Sequence, residues 1–529
     1  MKRRNFLKSI PYAVLPSVLG GYSIQAFGSN PLLDALSAAY TETDKVLVLI
    51  QLSGGNDGLN MVLPLDQYSG MSVVRGNILV PDTKALVLPD NPNTGLHPAM
   101  TGLFDLYKDG KVNVIQGVSY PTPNFSHFRA TDIWMTASDS NQELNTGWAG
   151  RYLMNEYPNF PVGFPNSTMP DPLAIQINGS VSSVFQGVSN SMGMAISSTT
   201  STYTSLTGLN DPITNDYYGK EIAHTRTVMN QTQNFYAAIK AASDKVTVQG
   251  NYPAAPYNAL GNQLKMVARL IAGGLKTRIY MVSMGGFDTH SIQVNATDKT
   301  LGAHANLLNT LSQGIKAFMD DCKGLKIDDR IIGMTFSEFG RRIKSNASDG
   351  TDHGSAAPVI MFGNGIKGGV TGSNPVIKDT MTANDNVPMQ YDFRSIYSTI
   401  MEDWFCLPTN EVDGVLLKNF QRLPLINNIC TRNETVAEAN KKAGLEIISC
   451  YPNPFTDKTT IKYTTFGGYT QLQVFNNQGV LIKTLISENA EVEGTFEIQC
   501  DLEGMPPGIY YVRLENNELQ QVKIMSKVQ

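Results

Sequence analysis

The sequence predicts an α/β protein: a mostly parallel central sheet flanked by helices, followed by a small C-terminal β-sandwich. Three observations carry that expectation. Apolar runs rich in β-branched residues recur between residues 46 and 362, as strands buried on both faces of a parallel sheet do. Segments with apolar residues at helical spacing alternate with them, the order of strands joined by crossover helices. Beyond residue 445 the texture changes to short, regularly spaced alternating strands separated by turns, the pattern of a sandwich.

A chain of 529 residues has room for two or three domains, and 42% hydrophobic content supports a sizeable core and excludes global disorder. The net charge is −5 and no Lys/Arg cluster is large enough for a nucleic-acid groove, so no nucleic-acid partner is expected. Charged residues make up only 16%, which suits an exported protein. Arg3 and Arg4 precede Phe6-Leu7-Lys8, and a weakly apolar stretch broken by Pro11, Pro16, Gly20 and Gly21 follows. Residues 1–28 are too short and interrupted to span a bilayer and read as a removable signal, leaving no transmembrane span in the mature chain. They are similar to a bacterial twin-arginine signal, which implies the twin-arginine translocase as a partner; a basic solvated tail is the alternative. Five cysteines (322, 406, 430, 450 and 500) contain no C-x-x-C pair, which argues against a thiolate zinc site. Cys406 with Cys430 and Cys450 with Cys500 are both open pairings.

The first strand, Val46–Leu52, breaks into Ser53-Gly54-Gly55-Asn56-Asp57-Gly58. Ligands of open α/β sheets collect beyond the carboxyl ends of the strands, so Asp57 is a candidate metal ligand or base, with an Asx-turn as the competing reading. Residues 61–98 are proline- and turn-rich and predict no element; 100–108 read as a short helix. A second strand, 112–118, leads through a proline-rich turn to a helix starting near Asn124 or Ser126, either of which suits an N-cap. Ser126, His127 and Arg129 thus gather at a helix N-terminus, where anions bind well; capping alone would account for Ser126 but not for the other two. Residues 138–216, poor in charge, read as a lid or a small β-subdomain. Amphipathic helices follow at 216–246 and 258–274.

The third strand, 278–284, ends in GGFDTH. Asp288 and His290 stand two apart, so in extended backbone they point the same way and can reach one ion such as zinc or manganese. After a helix at 301–321, a fourth strand, 330–336, runs into SEFGRR, which places Glu338 at its end. A salt bridge to Arg341 is the alternative use of that carboxylate. Asp352 and His353 follow, with turn capping as the alternative for Asp352, then a fifth strand at 358–362 and a closing helix at 392–405. His224 and His304 lie on helical segments away from strand ends and are expected to have no role.

Residues 431–445 are polar and read as a linker. Beyond it, YPNPF at 451–455, VFNNQGVLIKTL, PPGIYYVRL and a terminal KIMSKV resemble the type A sorting domain of the type IX secretion system, over residues 446–529. The resemblance implies the type IX secretion machinery as a partner and a cell-surface or extracellular destination. A carbohydrate-binding sandwich is the alternative.

GGNDGLN, PNFSHFRATDIW, GWAGRYL, GGFDTH, SEFGRR and DHGSAAPVIMFG, in that order within residues 45–430, resemble the DUF1501 family of exported bacterial proteins. That family is similar in fold to alkaline phosphatases and sulfatases. The resemblance implies metal ligation by Asp57, Asp288, His290, Glu338 and His353, the last beside Asp352, with Ser126 at the nucleophile's position. It further implies divalent ions (zinc, manganese, magnesium or calcium) and hydrolysis of phosphate or sulfate esters, the substrate being a small ester or a sulfated or phosphorylated glycan. Arg129 would hold the non-bridging oxygens. His127 or His353 would ligate metal or protonate the leaving group. The chain departs from the phosphatase pattern in its nucleophile motif, its close Asp-x-His spacing and its glutamate at 338. A non-catalytic surface protein that binds glycans or a partner is the alternative, since a fold does not fix a function.

Overall fold

Nine strands form one sheet in the computed structural model, which describes residues 17–19, 22–24 and 44–528 except 159, 162, 189, 200–213, 215–216, 428–429, 431–444, 466–467, 477–479, 491–493 and 517–518. In chain order they are β1 (Val46–Leu52), β2 (Val112–Ser119), β3 (Ala174–Ile177), β4 (Gly193–Ile196), β5 (Ile279–Met284), β6 (Ile331–Phe336), β7 (Ala357–Gly363), β8 (Gly369–Thr371) and β9 (Tyr391–Asp392). The spatial order is β8-β2-β7-β6-β1-β5-β3-β4, with β9 also paired to β2. β1 lies near the middle, between β6 and β5, and every residue of it except Gln51 is buried. That double-sided burial is why its sequence is a continuous apolar run.

All neighbouring pairs are parallel except the two made by β7, which runs against both β6 and β2. The chain between β6 and β7 contains no helix, so it cannot make the crossover that a parallel return needs. The reversal has a functional consequence. The turns after β1, β2, β5 and β6 leave the sheet at one edge, and the segment that feeds β7 starts at that same edge.

The helices Ala259–Ala272 and Ala303–Gly324 lay Leu260, Leu264, Val267, Leu308, Leu311, Ile315 and Phe318 into one buried cluster with Val48, Ile50, Tyr280 and Val282. Each such side chain contributes about 1.5–3 kcal/mol by leaving water, which holds the edge turns on a rigid base. The segment expected as a lid or β-subdomain is neither. It supplies the helix Trp148–Glu156 and then β3 and β4, which widen the main sheet; residues 200–213 and 215–216 lie outside the described residues. The stretch 61–98, without a predicted element, forms the helix Tyr68–Arg75 and a three-stranded antiparallel sheet of Val62–Pro64, Asn91–Leu96 and Leu86–Leu88. The closing helix runs Phe393–Thr399 and passes into a π-helical turn, Ile400–Trp404.

The described residues of 44–405 and 420–429 make one compact unit, and those of 1–43, 406–419 and 430–529 the other. In the second unit, three strands (Glu446–Tyr451, Lys458–Thr465, Gly494–Asp501) and four strands (Gly468–Asn476, Leu481–Ala490, Gly508–Asn516, Leu519–Lys527) make two antiparallel sheets over a shared core that includes Phe455, Ile461, Leu472 and Val512. The helix Thr409–Leu416 belongs to this unit, with Asn410 Nδ2 donating to the Val522 carbonyl at 3.5 Å. Of the two open cysteine pairings the structure forms Cys406–Cys430; Cys450, Cys500 and Cys322 are buried thiols. The signal expected at 1–28 is described only at Ser17–Leu19 and Tyr22–Ile24, which pair antiparallel, and the linker residues 431–444 lie outside the described residues. Among the described residues, no helix is long and apolar enough to cross a membrane.

Candidate metal centre

The edge turns interlock because Gly54 lets two of them touch. Its φ is +125°, and a Cβ there would stand 2.3 Å from the Asp288 nitrogen, so only glycine allows the β1 turn to lie against the β5 turn. The β2 turn leads to the helix His127–Thr136, whose N-cap is Ser126 in extended conformation. The Ser126 hydroxyl makes no capping hydrogen bond; instead the Asn124 side chain accepts from the Ser126 amide at 2.8 Å. His127 therefore opens the helix facing the β6 turn.

Three of the chain's six histidines meet here, each held at Nδ1 by an oxygen. His127 Nδ1 lies 2.8 Å from Glu338 Oε1, His353 Nδ1 lies 2.9 Å from the Phe125 carbonyl, and His290 Nδ1 lies 3.3 Å from Asp352 Oδ1. Carbonyl and carboxylate oxygens accept only, so the proton of each neutral ring sits on Nδ1 and each Nε2 presents a lone pair. All three Nε2 atoms turn towards one carboxylate. His290 and His353 Nε2 stand 3.1 and 3.3 Å from Asp288 Oδ1 and 2.9 Å from each other, and His127 Nε2 stands 3.6 Å from Asp288 Oδ2. Ligand atoms of His127, Asp288 and His353 all lie within 4.8 Å of one another. Phe339, buried beneath them, packs its ring against His127 and His353 at 4.9 and 4.5 Å between centroids.

The donor set fits a divalent ion. Lone pairs pointed at a carboxylate repel it, and the arrangement becomes favourable once a cation lies between them. Donors about 2.0–2.2 Å from a tetrahedral ion stand about 3.3–3.6 Å apart; His353 and His127 stand at such separations from Asp288, while His290 Nε2 stands closer, 3.1 Å from Asp288 and 2.9 Å from His353. The composition agrees: three carboxylates, Asp288, Glu338 and Asp352, share the site with one guanidinium, Arg341. Burial, reinforced by Arg341, holds the His353 imidazole below its usual value, which favours the neutral ring that a cation needs. Burial pushes the Asp288 carboxyl up, but the hydrogen bond and charge of Arg341 bring it below the usual range. Asp352 is held low first by the Asn346 side chain, which donates to it at 3.1 Å. Imidazole held through Nδ1 by a carboxylate or carbonyl is the ordinary support of a metal-bound histidine.

The structure thus brings together His127, Asp288, His290, Glu338, Asp352 and His353, and divides their tasks. Glu338, expected as a ligand, is buried with Oε1 taken by His127 and by the Gly54 amide at 2.8 Å, and Oε2 by Ser337 Oγ at 3.3 Å. It orients His127. Asp352 does the same for His290. Asp57, expected as the first ligand, is not in the group: it is buried in a salt bridge with Arg75 and accepts from Gln293 Nε2 at 2.6 Å. Burial pushes its carboxyl up, but the Arg75 charge and these hydrogen bonds hold it below the usual range. Arg129, expected to hold substrate oxygens, is spent on Asp132 and the carbonyls of Asp139 and Gln142, so it braces the loop after its own helix. His304 is buried, its Nε2 2.9 Å from Asn56 Oδ1, and the side chain of His224 lies outside the described residues.

Two participants went unread in the sequence, as did Arg75, the partner that takes Asp57 out of the group and sits in the stretch without a predicted element. The Phe125 carbonyl is a backbone group and leaves no signature. Arg341, weighed only against Glu338, pairs instead with Asp288.

No curated protein matches the chain. Solved structures similar to it include a protein of the alkaline phosphatase superfamily from Vibrio parahaemolyticus, at 10% identity and TM-score 0.29, over 93% of this chain and 84% of that one. The PsFucS1 sulfatase from Pseudoalteromonas sp. is similar at 8% identity and TM-score 0.31, over 92% and 88%. The lipoteichoic acid synthase LtaP from Listeria monocytogenes is similar at 9% identity and TM-score 0.28, over 65% and 69%. Residues 449–527 match a secretion system C-terminal sorting domain, which supports delivery to the cell surface or the extracellular space through the type IX machinery. Residues 114–416, more than half the chain, match the family described as protein of unknown function (DUF1501), and they include every member of the histidine and carboxylate group; the chain belongs to that family.

Proposed function

We propose that the chain is an exported, metal-dependent hydrolase of phosphate or sulfate esters, with His127, Asp288, His290 and His353 as its metal ligands. The observation that supports this reading most is the set of three Nδ1-anchored imidazoles turned onto one carboxylate. A divalent ion held there supplies Lewis-acid chemistry, polarising an ester oxygen and lowering the pKa of a nearby hydroxyl. Glu338, Asp352 and the Phe125 carbonyl fix the rings so that no rotamer search precedes binding. Ser126 is the nucleophile in this reading: it is exposed, unused as a side-chain cap and next in sequence to a ligand. The amides of the helix it opens favour the negative charge that develops on attack. Asp288, His127 and His290 are half-open to solvent, which suits an ester on a small molecule or a sulfated or phosphorylated glycan. Residues 1–28 take the chain through the twin-arginine translocase, residues 45–430 form the catalytic domain, and a linker at 431–445 leads to the sorting domain at 446–529.

The test is elemental analysis of the purified chain together with a panel of aryl phosphate, phosphodiester and sulfate esters. Bound divalent metal with turnover, both lost in His290→Ala, is the expected result. Metal-replete protein that hydrolyses none of the esters and binds sulfated glycans tightly overturns the hydrolase reading in favour of a binding protein.

A further inference from the structure

We infer that Arg341 is a positioning residue of the metal centre, fixing Asp288 and locking together the segments that carry the ligands. The inference rests on the metal-centre reading above and adds a residue with no donor atom of its own. Arg341 is among the largest fully buried side chains of the protein. Its Nε donates to the Gly55 carbonyl at 2.6 Å and its Nη1 to the Thr351 carbonyl at 2.7 Å. Its Nη2 meets the Gly54 carbonyl, the Phe287 carbonyl at 3.3 Å and Asp288 Oδ1. Those acceptors lie on the β1 turn, the β5 turn and the segment that feeds β7, while Arg341 itself sits on the β6 turn. It is also paired through its backbone with His353.

The geometry separates three possible uses of a buried arginine. Its Nε and Nη2 donors are taken by acceptors, one Nη1 hydrogen is held by Thr351, and the side chain is 0% exposed, so it presents no donor to a substrate anion. Four acceptors are backbone carbonyls, which a fold staple would equally use. The fifth is Asp288, the one carboxylate on which all three imidazoles converge, and the bond engages the same Oδ1 that His290 and His353 face. A planar fork of five donors reaches several segments at once, whereas a lysine ammonium is a point charge and cannot. Arg341→Lys keeps the charge and loses the fork.

The experiment uses metal-free full-length protein and cobalt(II) alone as the probe, read by affinity, stoichiometry and the visible ligand-field spectrum, with urea unfolding alongside. Wild type is compared with Arg341→Lys, Arg341→Met and Arg75→Lys. Arg75 is an equally buried arginine whose carboxylate partner, Asp57, lies outside the donor group. Loss of an outer partner of a ligand weakens metal binding about 10–100-fold, so Arg341→Lys is expected to bind cobalt weaker by that factor with an altered spectrum. Arg75→Lys is expected to unfold more easily yet keep the wild-type affinity and spectrum. Arg341→Lys binding cobalt within threefold of wild type, with the same spectrum, overturns the inference and leaves the metal-centre reading standing. A wild type that binds no cobalt overturns both. If neither Arg341 variant unfolds cooperatively, Arg341 serves the fold alone and the inference is overturned.

Discussion

Replacing Asp57 distinguishes a metal ligand from a buried structural ion. The Arg75 side chain is 0% and that of Asp57 1% exposed. Without Asp57 the guanidinium keeps only the Ile343 carbonyl and Asn60 Oδ1, both at 3.4 Å, and its Nε already has no partner. An uncompensated buried charge of this kind costs about 3–5 kcal/mol, so Asp57→Ala is expected to lose that much stability. With a urea m-value of roughly 3 kcal/mol per molar, the unfolding midpoint falls by roughly 1–1.7 M. All three tryptophans, Trp134, Trp148 and Trp404, lie in the unit that contains the sheet, so their fluorescence follows that unit alone. The double variant Asp57→Leu/Arg75→Met removes both charges and is expected to recover most of the loss, as buried pairs replaced by apolar residues do. Metal content per folded molecule stays at the wild-type level in both. If Asp57→Ala keeps the wild-type midpoint and loses its metal, Asp57 is a ligand and the assignment of donors above is wrong.

Glu338→Gln leaves an acceptor for His127 Nδ1 but removes the charge that strengthens the bond; metal affinity is expected to fall about tenfold, measured by competition with a chromophoric chelator. Ser126→Ala removes a hydroxyl that makes no capping bond, so the urea midpoint should move by less than the equivalent of about 0.5 kcal/mol, while ester turnover falls by several powers of ten. Near-wild-type turnover in that variant removes Ser126 as the nucleophile. Burial holds the imidazoles of His304 at about 4 and His97 at about 3, both below their unfolded value. The unfolded chain therefore binds protons first as pH falls, and stability drops from about pH 6.5 downwards, the His304 share levelling off near pH 4. At about 1.4 kcal/mol per unit that share is roughly 3 kcal/mol, so metal-free His304→Gln should show a shallower acid loss than wild type in urea midpoints taken from pH 7 to pH 4.

The strands that position the centre were legible because burial on both faces leaves a strong mark: β1, β2, β5 and β6 are predominantly apolar runs ending in glycine, proline or acidic turns. The antiparallel sense of β7 was not, since an apolar strand reads alike in either direction and only the missing crossover helix decides it. Asp288, His290 and His353 stood out as imidazole and carboxylate at strand ends. Which carboxylate faces the Nε2 atoms and which ones hold a ring at Nδ1 was hidden, because Glu338 and His127 are 211 residues apart and meet only through the sheet order. The pairing of Asp57 was hidden for the same reason: its partner Arg75 lies in a stretch with no periodic pattern. At 138–216, expected as a lid or a small β-subdomain, the main-sheet strands β3 and β4 went unread because they are only four residues each, too short to set an alternation apart from the surrounding Ser, Asn and Gly.

X-ray absorption on zinc-loaded full-length protein reads the first shell directly. Three imidazole nitrogens and carboxylate oxygen at about 2.0–2.2 Å, with no sulfur, are the expected result, and His127→Ala should remove one imidazole while Glu338→Gln removes none. A shell without imidazole, or zinc-treated protein that retains no zinc, would contradict the assignment of His127, Asp288, His290 and His353 as a metal centre.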